Sequence, residues 1–190
     1  MTSDDRLSDF WSGERVRLGP HSEELAEWSY GGTLDSRGRQ LLRLGIELPT
    51  SVEAVREELR KRADCKDVDG VIVFAIRAGD GRPVGGLSFH SRNAKNGTFG
   101  FGITVDRAER GKGYATEAVR LILRYAFFER RFQKCNSACI ATNDASIAPH
   151  KRLGFVEEGR RRRQFFMDGV YYDDILFGLT REEFETLNSA

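Results

Sequence analysis

Arg110-Gly111-Lys112-Gly113-Tyr114-Ala115 stands between an alternating stretch that ends near residue 106 and a run of apolar residues at helical spacing. That run is Ala115, Ala118, Val119, Ile122, Leu123, Ala126 and Phe127, and it continues to about residue 130. Two glycines allow a backbone to turn its N–H groups inward. The first turn of the following helix adds donors without an intrahelical partner and a partial positive charge. Such a junction can hold a phosphate or pyrophosphate by main chain alone. A hexapeptide of this composition also serves as a plain tight turn, so its surroundings decide its weight.

Working outward, residues 98–106 alternate as a strand and follow the hairpin signal Asn96-Gly97. Residues 83–91 and 70–77 read as two further strands joined at the turn 79–81, which makes an antiparallel meander of three. On the other side, residues 134–142 return to strand, and a strand-helix-strand crossover requires that its two strands be parallel. A short helix over 146–153 stops at Gly154, and strands 155–166 and 170–179 flank the tight turn Asp168-Gly169. Toward the N-terminus, residues 14–18 form a strand, Ser22 caps a helix over 23–30, and Ser51 opens a helix over 51–63. Val52, Val55 and Leu59 line one side of that second helix. Residues 31–50 read as a loop with room for one helical turn. The order predicts a mixed α/β fold, with a mostly antiparallel sheet of about seven strands and about four flanking helices. No repeat or linker interrupts it, so residues 1–190 are expected to form one domain.

Composition narrows the function classes. The chain has 190 residues, 39% of them hydrophobic and 13 of them Phe, enough for a sizeable core and against disorder. With 30 Lys+Arg against 29 Asp+Glu, the net charge of +1 argues against a dedicated nucleic-acid binder. The exception is the run 160–163, four arginines that alternate sides on a strand. These are either a solvated edge or a reader of acidic groups. No apolar run approaches the roughly 20 residues of a membrane span, and the polar, acidic start is unlike a signal peptide. A cytoplasmic protein without a membrane partner is expected. Cys65, Cys135 and Cys139 lack metal-ligand spacing. Four residues along a strand span about 13 Å, too far for a 135–139 disulfide, so free thiols and no metal are expected.

Arg110, Gly113 and Ala115 fit the pattern (Arg/Gln)-x-x-Gly-x-(Gly/Ala). Asn143-Asp144-Ala145-Ser146 followed by Leu153-Gly154-Phe155 fits Asn-x-x-Ser…Leu-Gly-Phe. In these motifs the chain resembles the GNAT N-acetyltransferase superfamily. In residues 14–18, the Ser51 helix and residues 157–184 it resembles the RimJ/RimL branch, which includes ribosomal-protein N-terminal acetyltransferases. The resemblance implies acetyl-CoA as cofactor and a parallel strand pair that splays at the cofactor site. The pyrophosphate would sit on the N–H groups of Gly111, Lys112, Gly113, Tyr114, Ala115 and Thr116, with Arg110 opening the motif. The pantetheine arm would run as a pseudo-strand against Ile103, Thr104 and Val105. Asn143 would reach that arm, in the segment that also holds Ser146, and Lys151 or Arg152 would suit the 3′-phosphate.

Direct acetyl transfer to an amine, without an acyl-enzyme, needs a neutral amine, an oxyanion donor and a proton for the leaving thiolate. Where many members of the superfamily carry a Tyr for that proton, this chain has His150 after Pro149, and imidazole is a competent acid near neutrality. The usual carboxylate position falls on Gly100, which leaves a water chain, His90, Asp173 or Asp174 to take the proton from the amine. A backbone N–H in 103–105 is the most economical oxyanion donor. Without an evident base, a weakly basic amine such as a protein or peptide N-terminus is favoured. The alternatives are a small amine, such as a polyamine or an aminoglycoside-like antibiotic, and a non-catalytic acyl-CoA sensor. Trp28 and Tyr30 read either as core or as walls of the acceptor pocket. Phe165, Phe166, Tyr171 and Tyr172 are positioned to bury a subunit contact in a homodimer.

Overall fold

The structure is a computed structural model that describes residues 9–42 and 48–188. Seven strands form one sheet: β1 Val16–Pro20, β2 Ile72–Ala78, β3 Pro83–Asn93, β4 Thr98–Val105, β5 Lys134–Ile140, β6 Val156–Met167 and β7 Val170–Thr180. Their spatial order is β1-β2-β3-β4-β5-β7-β6, antiparallel except for the β4–β5 pair. That pair is joined by helix α4, Tyr114–Arg124, which runs on through one π turn, Tyr125–Glu129.

The β4–β5 ladder is short. Thr98 pairs with Lys134, Phe99 with Cys135 and Gly100 with Asn136, and there the register ends although both strands continue. From Phe101 and Ser137 onward the two strands do not pair with each other, so the sheet opens as a V with its apex at Gly100.

Alternation along the strands divides the sheet into two unlike faces. One carries Phe89, Phe99, Phe101, Cys135, Cys139, Ile175, Phe177 and Leu179 against Val119, Ile122, Leu123 and Phe127. The ring centroids of Phe99 stand 5.4 Å from Phe89 and 5.5 Å from Phe127, both edge-on. Offset and edge-on aromatic pairs add to the burial of their area. On the other face, α1 Ala26–Thr33 and α3 Val52–Lys61 cover the first strands through Leu25, Ala26, Leu59 and Ala75.

Two helices go beyond the four expected, making six among the described residues. α2, Ser36–Leu41, forms where a loop is predicted, because Asp35 caps it by accepting from the Gly38 N–H at 2.9 Å. α6, Arg181–Asn188, closes the chain, and α5 is Asp144–Arg152. Ser51 caps α3 as expected, whereas Ser22 makes no side-chain cap and a 3₁₀ turn, Glu23–Leu25, precedes α1. Most of the apolar stretch 41–48 lies outside the described residues. Among the described residues, no helix is long and apolar enough to cross a membrane.

Candidate functional site

The loop 110–113 leaves β4 and turns into α4 with Gly111 at φ 82° and Gly113 at φ 85°, left-handed conformations that favour glycine. Gly113 is the residue before the first turn of α4 and has no side-chain cap, so the donors of that turn face outward. Arg110 folds back. Its Nε donates to the Val105 carbonyl at 3.1 Å and its Nη2 lies 3.5 Å from Asp35 Oδ2. Glu109 anchors the loop from behind, 2.8 Å from Arg82 Nη1 and 2.9 Å from Lys112 Nζ. The Arg82 guanidinium, and then Lys112, hold its carboxyl at about 2. Lys112 is therefore engaged by Glu109, and the backbone N–H groups are what the loop presents to an anion.

Glu117 in the first turn of α4 accepts from the N–H groups of Glu14 and Arg15, at 2.5 and 3.0 Å, and binds the N-terminal segment beside the loop. A groove of about 790 Å³ follows, lined by Gly113 and Thr116 and by Arg15, Arg17, Arg120, Arg124 and Arg152, with Asp9, Glu14 and Glu117 as its acidic members. Of these arginines the sequence singles out only Arg152. The others come from β1, the residue before it and α4, and no spacing along the chain brings them together.

The open V lies beside this loop. On its β4 arm Ile103 and Val105 are half-buried and Thr104 is exposed. On its β5 arm Ser137 is the first residue past the last pair. Asn143 follows β5, but its side chain does not cap α5; instead Nδ2 donates to the Leu41 carbonyl at 3.4 Å. Through its cap Asp35, α2 thus reaches Arg110 in the loop after β4, and through Leu41 it reaches Asn143 after β5. It is also fixed to the β6–β7 turn, where Asp168 accepts from Arg37 at 3.1 Å and Gln40 at 3.3 Å.

His150 is buried, where its place on a short helix suggests partial exposure. Its ring stacks on Phe177 at 4.8 Å and Phe101 at 5.9 Å and meets Phe155 edge-on at 5.0 Å. Nδ1 donates to the Ser146 carbonyl at 2.7 Å, because a carbonyl can only accept. In the neutral ring, Nε2 then accepts from Ser137 Oγ at 2.8 Å. Ser137, which no motif marks in the sequence, is the link between this imidazole and the V.

The other residues singled out separate clearly. Asp173 accepts from the Arg163 N–H at 2.9 Å, and Asp174 is fully buried beside Ile140, 3.9 Å from Arg161. His90 on β3 pairs directly with Gly100. Trp28 donates its Nε1–H to Asp106 at 2.7 Å and packs against the small core, so it braces the end of β4. Of the arginine run, Arg160 pairs with Glu157 at 2.7 Å. Cys65, Cys135 and Cys139 form no disulfide, and burial pushes the Cys135 thiol well up, which leaves it protonated and a poor nucleophile. Among the described residues, no group of three or more His, Cys, Asp or Glu is placed to hold a metal ion.

Residues 15–156 match the family described as Acetyltransferase (GNAT) domain. The SPbeta prophage-derived uncharacterized N-acetyltransferase YokL of Bacillus subtilis is 34% identical over 179 residues, 93% of this chain and 96% of the relative. YdaF of the same species, provisionally named a ribosomal N-acetyltransferase, is 28% identical over 144 residues, 73% of this chain and 76% of YdaF. The spermidine N(1)-acetyltransferase of Escherichia coli K12 is 32% identical over 75 residues, 40% of each chain. Among solved structures, the spermidine N-acetyltransferase from Vibrio cholerae in complex with CoA and spermine superposes with a TM-score of 0.79. It is 17% identical, and the match covers 91% of this chain and 99% of that one.

Proposed function

From the premise that this chain belongs to the GNAT acetyltransferase family and is an N-acetyltransferase with acetyl-CoA as acyl donor, we propose that it acetylates the primary amine of a small molecule. The observation that carries acetyl transfer from acetyl-CoA is the V between β4 and β5 with the glycine loop beside it. Its unpaired backbone groups suit the amides of a pantetheine arm along Ile103, Thr104 and Val105, as an added strand suits an open sheet edge. The pyrophosphate then meets the N–H groups of Gly111, Lys112, Gly113, Tyr114, Ala115 and Thr116. Arg152, joined by Arg15 and Arg120 in the same groove, answers the 3′-phosphate. Arg110 supports the loop through Val105, and the Ser146 carbonyl sets the tautomer of His150. Asn143 ties the end of β5 to α2.

The thioester end of the arm reaches the apex at Gly100 and Asn136. There Ser137 Oγ passes a proton to the leaving thiolate and regains one from the acceptor nitrogen, while His150 Nε2 accepts from that hydroxyl and orients it. Acetyl moves directly to the amine, since Cys135 stays a thiol.

The acceptor class rests on α2. Held to the loop after β4, to Asn143 after β5 and to the β6–β7 turn, α2 stands over the side of the V from which an acceptor would come, a setting that suits a slender amine. The relatives named spermidine acetyltransferases point the same way. A peptide N-terminus, favoured on sequence alone, and with it the RimJ/RimL branch, keeps the support of YdaF. Exposed Phe166, Val170 and Tyr171 at the β6–β7 turn suit the expected homodimer.

The test is release of free CoA thiol from acetyl-CoA with polyamines, aminoglycosides, amino acids and short peptides with free Ala, Ser or Thr termini. Turnover confined to small amines is the expected result, and turnover confined to peptides moves the enzyme to the other class. Gly113→Glu, which sets a carboxylate at the pyrophosphate position, should weaken acetyl-CoA binding by about a hundredfold in calorimetry, roughly 2.7 kcal/mol. Unchanged affinity removes the loop from the cofactor site.

A further inference from the structure

The apex of the V is Gly100 beside Asn136, the last residues joined before β4 and β5 part. Position 100 has no side chain, and a neighbouring strand fills its space. His90 pairs with Gly100 across the β3–β4 ladder and lays its imidazole over it. A methyl group at Gly100 would stand 3.1 Å from His90 Cε1 and 3.3 Å from Nδ1; one at Gly102 would stand 3.8 Å from Nε2. A histidine ring thus occupies the volume that the side chain of residue 100 would claim. It does so on the face away from the aromatic core.

The backbone is shaped to keep the ring there. Directly after His90 the register shifts, and Ser91 takes φ 51°, a left-handed conformation that a serine adopts only at some cost. Bulges of this kind re-aim side chains and gather near active sites. Here the bulge brings Ser91 Oγ to 2.9 Å from His90 Nδ1, which fixes the orientation of the imidazole. The residue is half-buried, so the ring beside the apex is not sealed from water.

We propose that His90 is the general base that takes the proton from the acceptor amine, a role that rests on acetyl transfer at the apex of the V. Imidazole as a class changes protonation near neutrality, and a well-placed general base contributes about a hundredfold to ten-thousandfold. The ammonium form of the acceptor passes one proton to His90. Its nitrogen lone pair forms the C–N bond to the acetyl carbonyl, whose π pair moves to oxygen. As that pair returns, the C–S bond breaks with its electrons on sulfur. A second proton from the nitrogen reaches the thiolate by way of Ser137, and His90 releases its proton to water. An ammonium and a thioester become an amide, a thiol and one proton. The two imidazoles stand on opposite faces of the apex, His90 to remove a proton and His150 to serve the leaving group.

The experiment compares two forms of the best small amine from the thiol-release panel at about pH 7.5. One is the parent alkylamine, nearly all ammonium there, and the other carries β-fluorines and is mostly neutral. His90→Gln should lower kcat/KM for the parent amine about a hundredfold and for the fluorinated amine less than about threefold, with KM for acetyl-CoA unchanged. His90→Ala provides a second variant, and partial restoration of its turnover by free imidazole supports the same conclusion. Equal losses with both amines, or no loss with the parent, overturn His90 as the base and leave the acceptor reading standing. Wild-type enzyme that acetylates no small amine overturns the acceptor reading itself.

Discussion

The two faces of β3 and β4 are unlike, although one stretch of backbone builds both. Along 98–105, Phe99, Phe101 and Ile103 enter the aromatic core, while Gly100, Gly102 and Thr104 lie on the opposite side. On β3, Phe89 joins the core, and Gly86, Ser88 and His90 face the other way. One face invests in large rings that exclude water. Its reverse strips side chains away and leaves a trough in which the atoms nearest the V are backbone, a serine hydroxyl and an imidazole. Stability and access are thus assigned to odd and even positions of the same strand.

The largest effect should come from breaking the aromatic face. Phe99→Ala should cost about 3–5 kcal/mol in denaturant unfolding, because Phe99 is fully buried among other rings. A midpoint close to wild type would mean that this face is not the main core. Next, filling the trough tests its reverse. A Cβ at Gly102 would lie 2.7 Å from Ser88 Oγ, which now accepts the Gly102 N–H at 3.1 Å. Gly102→Val should lower turnover at least about tenfold, about 1.4 kcal/mol in barrier, while destabilising less than Phe99→Ala. If the order of the stability losses is reversed, the division of labour between the faces fails.

The smallest effect concerns His21, at the far end of the trough. A methyl group at Gly86 would stand 3.8 Å from His21 Nε2 and 3.7 Å from Thr104 Oγ1. Burial pushes the His21 pKa down, so below about 6.5 the unfolded chain binds a proton that the folded one resists. Stability should therefore fall as pH drops from about 7.5 to 5.5, and His21→Gln should flatten part of that slope in thermal melts. A variant with the wild-type slope would assign the acid sensitivity to other groups.

What was legible in the sequence is what is local. The glycines of 110–113, the helical period of α4, the Asn96-Gly97 turn and the strand-helix-strand crossover each write their structure into a few neighbouring residues. α6 is written just as locally. Thr180 and Glu183 form a reciprocal capping box, with the Glu183 N–H at 3.3 Å from Thr180 Oγ1 and the Thr180 N–H at 2.8 Å from Glu183 Oε2. His150 stands three residues after Ile147 and three before Leu153, an apolar stripe that foretells a ring facing inward. The arginine groove and the placement of His90 over Gly100 were not legible. The first joins residues from β1, α4 and α5, and the second depends on register between strands, which no single segment encodes.

The turn between β3 and β4 is where that register is set, with Asn93 paired to Thr98 and the Asn96 N–H bound to the Asn93 side chain at 3.0 Å. Shifting a strand by one residue moves all its side chains to the opposite face. Deletion of a single residue here would turn Phe99 and Phe101 toward the cleft and glycines toward the core. Homologous chains should therefore tolerate many substitutions in this turn but few changes in its length. In this fold, the length of a surface turn decides which side chains are buried as firmly as the residues of the strands do.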